Sequence, residues 1–202
     1  GAVPQKAREA AEGLVYRDFM TVGLLLDRLK LKDPKAEGGK VMDDWIYVQE
    51  RDVKIGRLQL FNNWSPYMVK DPDTVFMGLE YFCNEGDEMW NTPDQEFIDF
   101  AVGELEKLGI VEKSHVKDAV LIRVPKAYPA YFGSYGQFGQ IRNFTDSLEN
   151  LFLVGRNGQH RYNNMDHSML TAMAAADAIL SGNVKDKTPV WEIHTEEEYH
   201  EE

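Results

Sequence analysis

Apolar positions recur along the chain with two different periods, and the switch between them marks out the elements. Residues 14–29, LVYRDFMTVGLLLDRL, mix β-branched, aromatic and leucine positions as a long strand does, and WIYVQE, RLQLFNNW and TVFMGLEYFC read as three further strands. Their mixture of alternating and continuous apolar positions suits an antiparallel sheet with one covered face. Between the first two, LKDPKAEGGKVMDD is a loop by its Pro, Gly and charge content. The period then changes to that of a helix over residues 92–108, where Phe97, Ile98, Ala101, Leu105 and Leu108 fall on one face. Thr92 as N-cap, Pro93 in the first turn, Gln95 closing a capping box and Gly109 as a left-handed terminator frame it.

A second run of strand character, AVLIRVPKAYP, is confined by Pro125 and Pro129 to an edge or a strand end. The aromatic, glycine-rich stretch KAYPAYFGSYGQFGQIRNF connects it to a helix ending near Glu149, and NLFLVG has the composition of a strand buried on both faces. A polar loop, RNGQHRYNN, follows Gly155. A helix then starts at Met165, with Asn164 as its N-cap and Gly182 as its stop. Residues 1–13 form a polar, helix-prone lead-in. Together these elements predict an α+β chain, mainly an antiparallel sheet with helices, plus a C-terminal strand, loop and helix.

Composition narrows the function classes. A chain of 202 residues with 43% hydrophobic content can bury one good-sized core or one domain with an appended element. No stretch approaches the about 20 apolar residues of a membrane span, and a cytoplasmic protein is the expectation. The net charge of −12 argues against nucleic acid as partner. The single cysteine, Cys83, excludes an internal disulfide and a multi-cysteine metal site, and reads as a buried structural thiol. No metal site is expected. His194 and His200 stand in an acidic tail, residues 191–202, read as a solvated end. No G-x-S-x-G, H-E-x-x-H or C-x-x-C pattern occurs.

The segment from Gly155 to Ser168 is richer in special residues than a simple connection requires. Its loop offers amide, guanidinium and imidazole donors and few acceptors, and the following helix N-terminus adds free N–H groups and positive dipole charge. That combination favours an anion or an electron-rich carbonyl. The alanine-rich helix after it can press close against a neighbour or a flat ligand.

Gly155, Arg156, His160, Arg161, Tyr162, Asn164, Met165, Asp166, His167 and Ser168 carry a resemblance. Their order is similar to the C-terminal flavin-binding segment of the FAD-dependent family that holds amine oxidases, protoporphyrinogen oxidase and UDP-galactopyranose mutase. It is nearest to the mutases, with His160 in place of the usual aromatic. LVYRDF, NNWSP and KAYPAY more weakly resemble the substrate-side sheet of that family and its return to the cofactor domain.

The resemblance implies FAD as cofactor, held by Gly155, Arg156, Tyr162, Asn164, Met165, Asp166, His167 and Ser168, and a small-molecule substrate, a nucleotide sugar in the mutase branch. Substrate contacts are then sought at Arg123, Tyr128, Tyr131, Tyr135 and Arg142, as cations for a diphosphate and hydroxyls for a sugar. It also implies a substrate-side region over residues 1–145, and residues 146–190 as the C-terminal part of an FAD-binding domain. The G-x-G-x-x-G fingerprint such a fold opens with does not occur here. The expectation is therefore the C-terminal portion of a longer flavoprotein, inactive alone and missing its nucleotide-binding half. Two other readings stay open: an oxidoreductase of the amine oxidase type with Trp45, Trp64 and Trp90 about an apolar cage, and a non-catalytic interaction domain.

Overall fold

The computed structural model describes residues 2–36, 39 and 41–193. His194, His200 and most of the acidic tail lie outside the described residues. The chain divides into two compact units, Arg17–Ala127 and a second one built from Gly1–Tyr16 together with Tyr128–Glu202.

The Arg17–Ala127 unit is organised by a five-stranded sheet. Its strands are β1 (Tyr16–Leu26), β2 (Trp45–Tyr47), β3 (Arg57–Leu60), β4 (Val75–Cys83) and β5 (Val116–Pro129), in the order β2-β3-β4-β1-β5. The first residue of β1 and the last two of β5 belong to the other unit. β1 runs antiparallel to β4, with Met20 opposite Tyr81 and Gly23 opposite Gly78, and β3 is antiparallel to both β4 and β2. The period of two sets the core: Met20, Val22, Leu24 and Leu26, then Leu58 and Leu60, then Met77, Leu79, Tyr81 and Cys83 all turn to one face. Helix α4 (Asp94–Lys107) covers it with Phe97, Ile98, Ala101, Val102 and Leu105. At roughly 1.5–3 kcal/mol for each large side chain fully buried, this two-layer contact is the main source of the unit's stability.

The buried carboxylates Glu104 and Glu80 of this unit are paired, whereas Nδ1 of His115 has no partner among the described residues. Glu104, on the buried face of α4, accepts from the N–H of Lys54 (2.5 Å) and Ile55 (3.0 Å) and from the Tyr81 hydroxyl (3.1 Å). Desolvation and the neighbouring carboxylate raise the Tyr81 phenol far above its ordinary range. On the opposite face of the sheet, Arg57 meets Glu80 at 2.5 Å, Gln59 donates to the same carboxylate, and the guanidinium lies 4.7 Å from the Trp45 ring and 5.0 Å from Phe82. Trp45 and Trp64 meet edge to face, and Trp90 packs against the core. Cys83 is buried, and its thiol is pushed up to about 11, first by burial and then by Asp87 and Asp18.

Three local expectations change. The segment RLQLFNNW is strand only to Leu60, and Phe61–Trp64 form a helical turn, α2. Its asparagine side chains explain the break, because Asn62 bonds the Thr74 carbonyl and the Phe76 N–H while Asn63 bonds the carbonyls of Val41 and Asp43. Helix α4 is capped one residue later than predicted, by Pro93, because Thr92 ends the preceding short helix α3 (Glu88–Asn91) and its hydroxyl donates to the Glu88 carbonyl. Gly109 does adopt the left-handed conformation, at φ 72°. The segment NLFLVG is extended near Val154 but is not in the sheet; no ladder partner for it lies among the described residues. A strand buried on both faces needs a neighbour on each side.

In the other unit, α1 (Gln5–Glu12) and α5 (Phe138–Asp146) lie together, preceded by a tight turn over Gly133–Gln137. α6 (Gly155–Gln159), α7 (Met165–Ser181) and α8 (Thr188–Trp191) complete it. Lys187 is buried here. Its ammonium donates to the carbonyls of Thr145 (3.3 Å), Leu148 (2.5 Å) and Leu151, and lies 4.7 Å from the Phe152 ring. It closes the C-terminal end of α5, where carbonyls lack helical partners and the dipole is negative.

Candidate functional site

The loop from Gly155 to Asn164 is shaped by two left-handed backbones. Gly155, at φ 71°, turns the chain, and a Cβ there would stand 3.4 Å from the Ser168 hydroxyl. Its N–H donates to the Thr171 hydroxyl at 3.0 Å, tying the loop to α7. The first half of the predicted loop is the short helix α6, ended by His160 at φ 47°, a conformation uncommon for a residue with a side chain. Asn164 then caps α7 as predicted: its side chain accepts from the N–H three residues on, and the His167 ring accepts from the Asn164 N–H. Asp166 sits 3.1 Å from the His167 ring in the first turn, and Gly182 ends the helix at φ 75°.

Arg156 is the focus of this loop. Its Nε donates to the Asn163 carbonyl at 3.0 Å, and its guanidinium lies 5.2 Å from the Tyr128 ring and 4.6 Å from the Tyr162 ring. Its two terminal nitrogens have no acceptor among the described residues. A cation held between two rings with its outer donors open is preorganised for an oxyanion. The backbone N–H groups of Met165 and Asp166 likewise meet no acceptor among the described residues, as at the start of any helix that awaits water or a ligand. The Ser168 hydroxyl donates to the Asn163 side chain at 3.0 Å, which leaves the buried Asn163 amide nitrogen unpartnered.

These groups suit the flavin dinucleotide that the sequence resemblance implies. Gly155 permits close approach, Arg156 supplies a cation, and two free N–H groups at a helix N-terminus supply donors for an electron-rich edge. Met165 and Asp166 are exposed, so the donors are within reach of a ligand.

Of the residues sought as substrate contacts, the structure gathers Tyr128, Tyr131 and Tyr135 in the same unit as the loop. Tyr131 and Tyr135 meet edge to face at 5.4 Å, and both approach the His160 ring. Arg142 lies 4.4 Å from the Trp191 ring and 3.4 Å from Asp146. Arg123 belongs to the other unit. It donates to the carbonyls of Trp90 (2.8 Å) and Thr92 (2.6 Å) and to Asp94 (2.6 Å), clamping the start of α4. Asn163, Trp191 and Tyr16 were not singled out by the sequence. Only the repeated asparagine before Met165 distinguishes the first of them. No group of three or more metal-ligating side chains occurs among the described residues, and no described helix is long and apolar enough to cross a membrane.

No family profile matches the sequence, and no curated protein gives a significant match. Solved structures do. A reduced UDP-galactopyranose mutase superposes on 92% of the chain with a TM-score of 0.68 at 21% identity. A provisionally assigned protoporphyrinogen oxidase from Exiguobacterium sp. 255-15 superposes on 72%, with a TM-score of 0.53 at 16% identity. The chain spans 38% and 31% of the lengths of these two structures. It has the α+β fold found in part of each of them.

Proposed function

We propose that the chain is the C-terminal portion of an FAD-dependent enzyme that acts on a nucleotide sugar in the manner of a UDP-galactopyranose mutase. The observation that carries this reading is Arg156, fixed between Tyr128 and Tyr162 with its outer nitrogens open, in the loop that leads to the unpaired N–H groups of α7. Such an arrangement recognises a diphosphate, and the likeness of fold to a mutase agrees with it.

In this reading the flavin supplies electron-rich or redox chemistry when bound, and the protein's own residues bind and orient. Gly155, Arg156, Met165, Asp166, His167 and Ser168 would hold the dinucleotide, with Asn164 fixing the start of α7 and Tyr162 bracing the guanidinium. Tyr128, Tyr131, Tyr135 and Arg142 belong to the substrate side. Residues 1–145 act on the substrate side and 146–190 close on the cofactor. Arg123, with its donors committed within the protein, serves to hold α4 in place. An oxidoreductase is the second reading, favoured by the likeness to the oxidase structure.

The test uses the native gene product, reduced under anaerobic conditions and incubated with UDP-galactopyranose, with the nucleotide sugars separated by anion-exchange chromatography. A ring-contracted nucleotide sugar that disappears in Arg156→Ala supports the proposal. Bound flavin with untouched sugar nucleotide overturns the mutase reading and favours the oxidoreductase.

A further inference from the structure

His160 is only 1% exposed, although the sequence presents it in a polar loop. Its ring is enclosed by four others: Tyr16 at 5.1 Å, Tyr131 at 6.2 Å, Tyr135 at 5.7 Å and Phe138, stacked at 5.9 Å. Nε2 stands 3.2 Å from the Ala130 carbonyl, so the neutral ring carries its proton there. Nδ1 is buried with no partner among the described residues. The backbone at this residue is left-handed, a conformation that costs energy and that packing must hold.

We propose that His160 is a positioning residue: its neutral imidazole latches the loop bearing Arg156 and Tyr162 onto the 128–138 segment, and acid releases the latch. The geometry gives the reason. Protonation would place an N–H on Nδ1 where no acceptor waits, and would put a charge among aromatic rings out of reach of water. Among the described residues, the titratable groups facing the ring are the phenols of Tyr16, Tyr131 and Tyr135; burial and the Ala130 carbonyl act on its ionisation. The nearest guanidinium in sequence, Arg161, is turned to the Trp191 carbonyl at 3.1 Å, and Arg142 lies on the Trp191 ring. Burial accordingly holds the imidazole below its ordinary 6.5, partly offset by the Ala130 bond.

The sign follows from proton linkage. The open loop takes up a proton near 6.5 and the closed loop resists it, so closure is fully present above that pH and weakens as pH falls below it. Between pH 7.5 and 5.5 the opening equilibrium should rise, by at most about tenfold. The inference takes from the proposed function only that Arg156 and Tyr162 face the ligand; it needs no ligand to be tested.

The experiment is amide hydrogen exchange of the ligand-free protein at pH 7.5 and 5.5, corrected for intrinsic rates, on peptides covering 128–132 and 155–164. The comparison is with His160→Gln, whose side-chain N–H can still reach the Ala130 carbonyl but does not titrate. Wild type should lose protection in both peptides on acidification, several-fold and at most about tenfold. The variant should match wild type at pH 7.5 and change less than about twofold. Equal loss in both proteins, or none in wild type, overturns the latch. If the variant does not fold, the imidazole proton resonance of His160 decides: titration at 6.5 or above overturns the proposal, and titration well below supports it. Absence of flavin binding by the full native gene product at pH 7.5 would instead defeat the functional reading and leave this one standing.

Discussion

The two units treat their polar groups differently. In Arg17–Ala127, Glu104 accepts three hydrogen bonds, Arg57 and Glu80 neutralise each other beneath Trp45 and Phe82, and Arg123 spends its donors on α4. The one orphaned buried side-chain atom of that unit among the described residues is Nδ1 of His115. In the other unit, among the described residues, Arg156 has open nitrogens, the starting N–H groups of α7 are unmet, and buried atoms of both His160 and Asn163 lack partners. The apolar groups diverge the same way, because Met165, Met169, Met173 and Leu180 of α7 are exposed while the helix of the sheet unit buries its stripe. A completed core satisfies its donors, whereas a surface that awaits a ligand or further polypeptide keeps them free. The contrast points to the loop after Gly155, rather than the sheet, as the place to seek chemistry.

The sharpest way to break this contrast is in the sheet unit. Glu80→Ala should leave the buried Arg57 without its carboxylate, lowering stability by about 3–5 kcal/mol, read from the urea midpoint. In the second unit, Lys187→Met should strand three carbonyls and lose about 1–3 kcal/mol on the same measurement. Arg156→Ala should weigh more on binding than on stability: loss of the single Asn163 carbonyl bond and the two ring contacts costs about 1–2 kcal/mol on the same measurement, against at least about a tenfold loss of affinity for a diphosphate ligand in an equilibrium titration. If that variant unfolds instead, Arg156 is structural and the contrast fails. The smallest effect concerns Cys83, whose modification by a thiol reagent at pH 8 should run roughly a hundredfold slower in the folded protein than in urea.

Much of this was legible in the residues, where local chemistry alone decides the outcome. Asn164 and Gly182 bound α7 because a cap and a left-handed terminator need only neighbours in sequence. The long strands at 16–26 and 75–83 follow from their apolar runs. Prediction slipped where a distant partner chose the outcome. The hydrogen bonds of Asn62 and Asn63 reach segments 12 to 22 residues away and turn a predicted strand into helix. His160, read as a polar loop residue, is enclosed by rings from Tyr16 through Phe138 that no local pattern announces. Arg156 was found because Gly-Arg followed by a polar loop has a recognisable order. Its bracing by Tyr128 depends on a contact spanning nearly thirty positions.

Lys187 sets a practical limit on how the chain can be cut. The helix α7 ends cleanly at Gly182, which makes that glycine an inviting terminus for a shortened version. Such a version would lack the ammonium that gathers the carbonyls of Thr145, Leu148 and Leu151, together with the Val190 carbonyl that receives the Gln159 amide. The end of α5 and the turn of α6 would then open to solvent from the far side of the sequence. Tags and fusions therefore belong after Trp191, and a deletion series stepping inward should show its first abrupt loss of yield when it crosses residue 187.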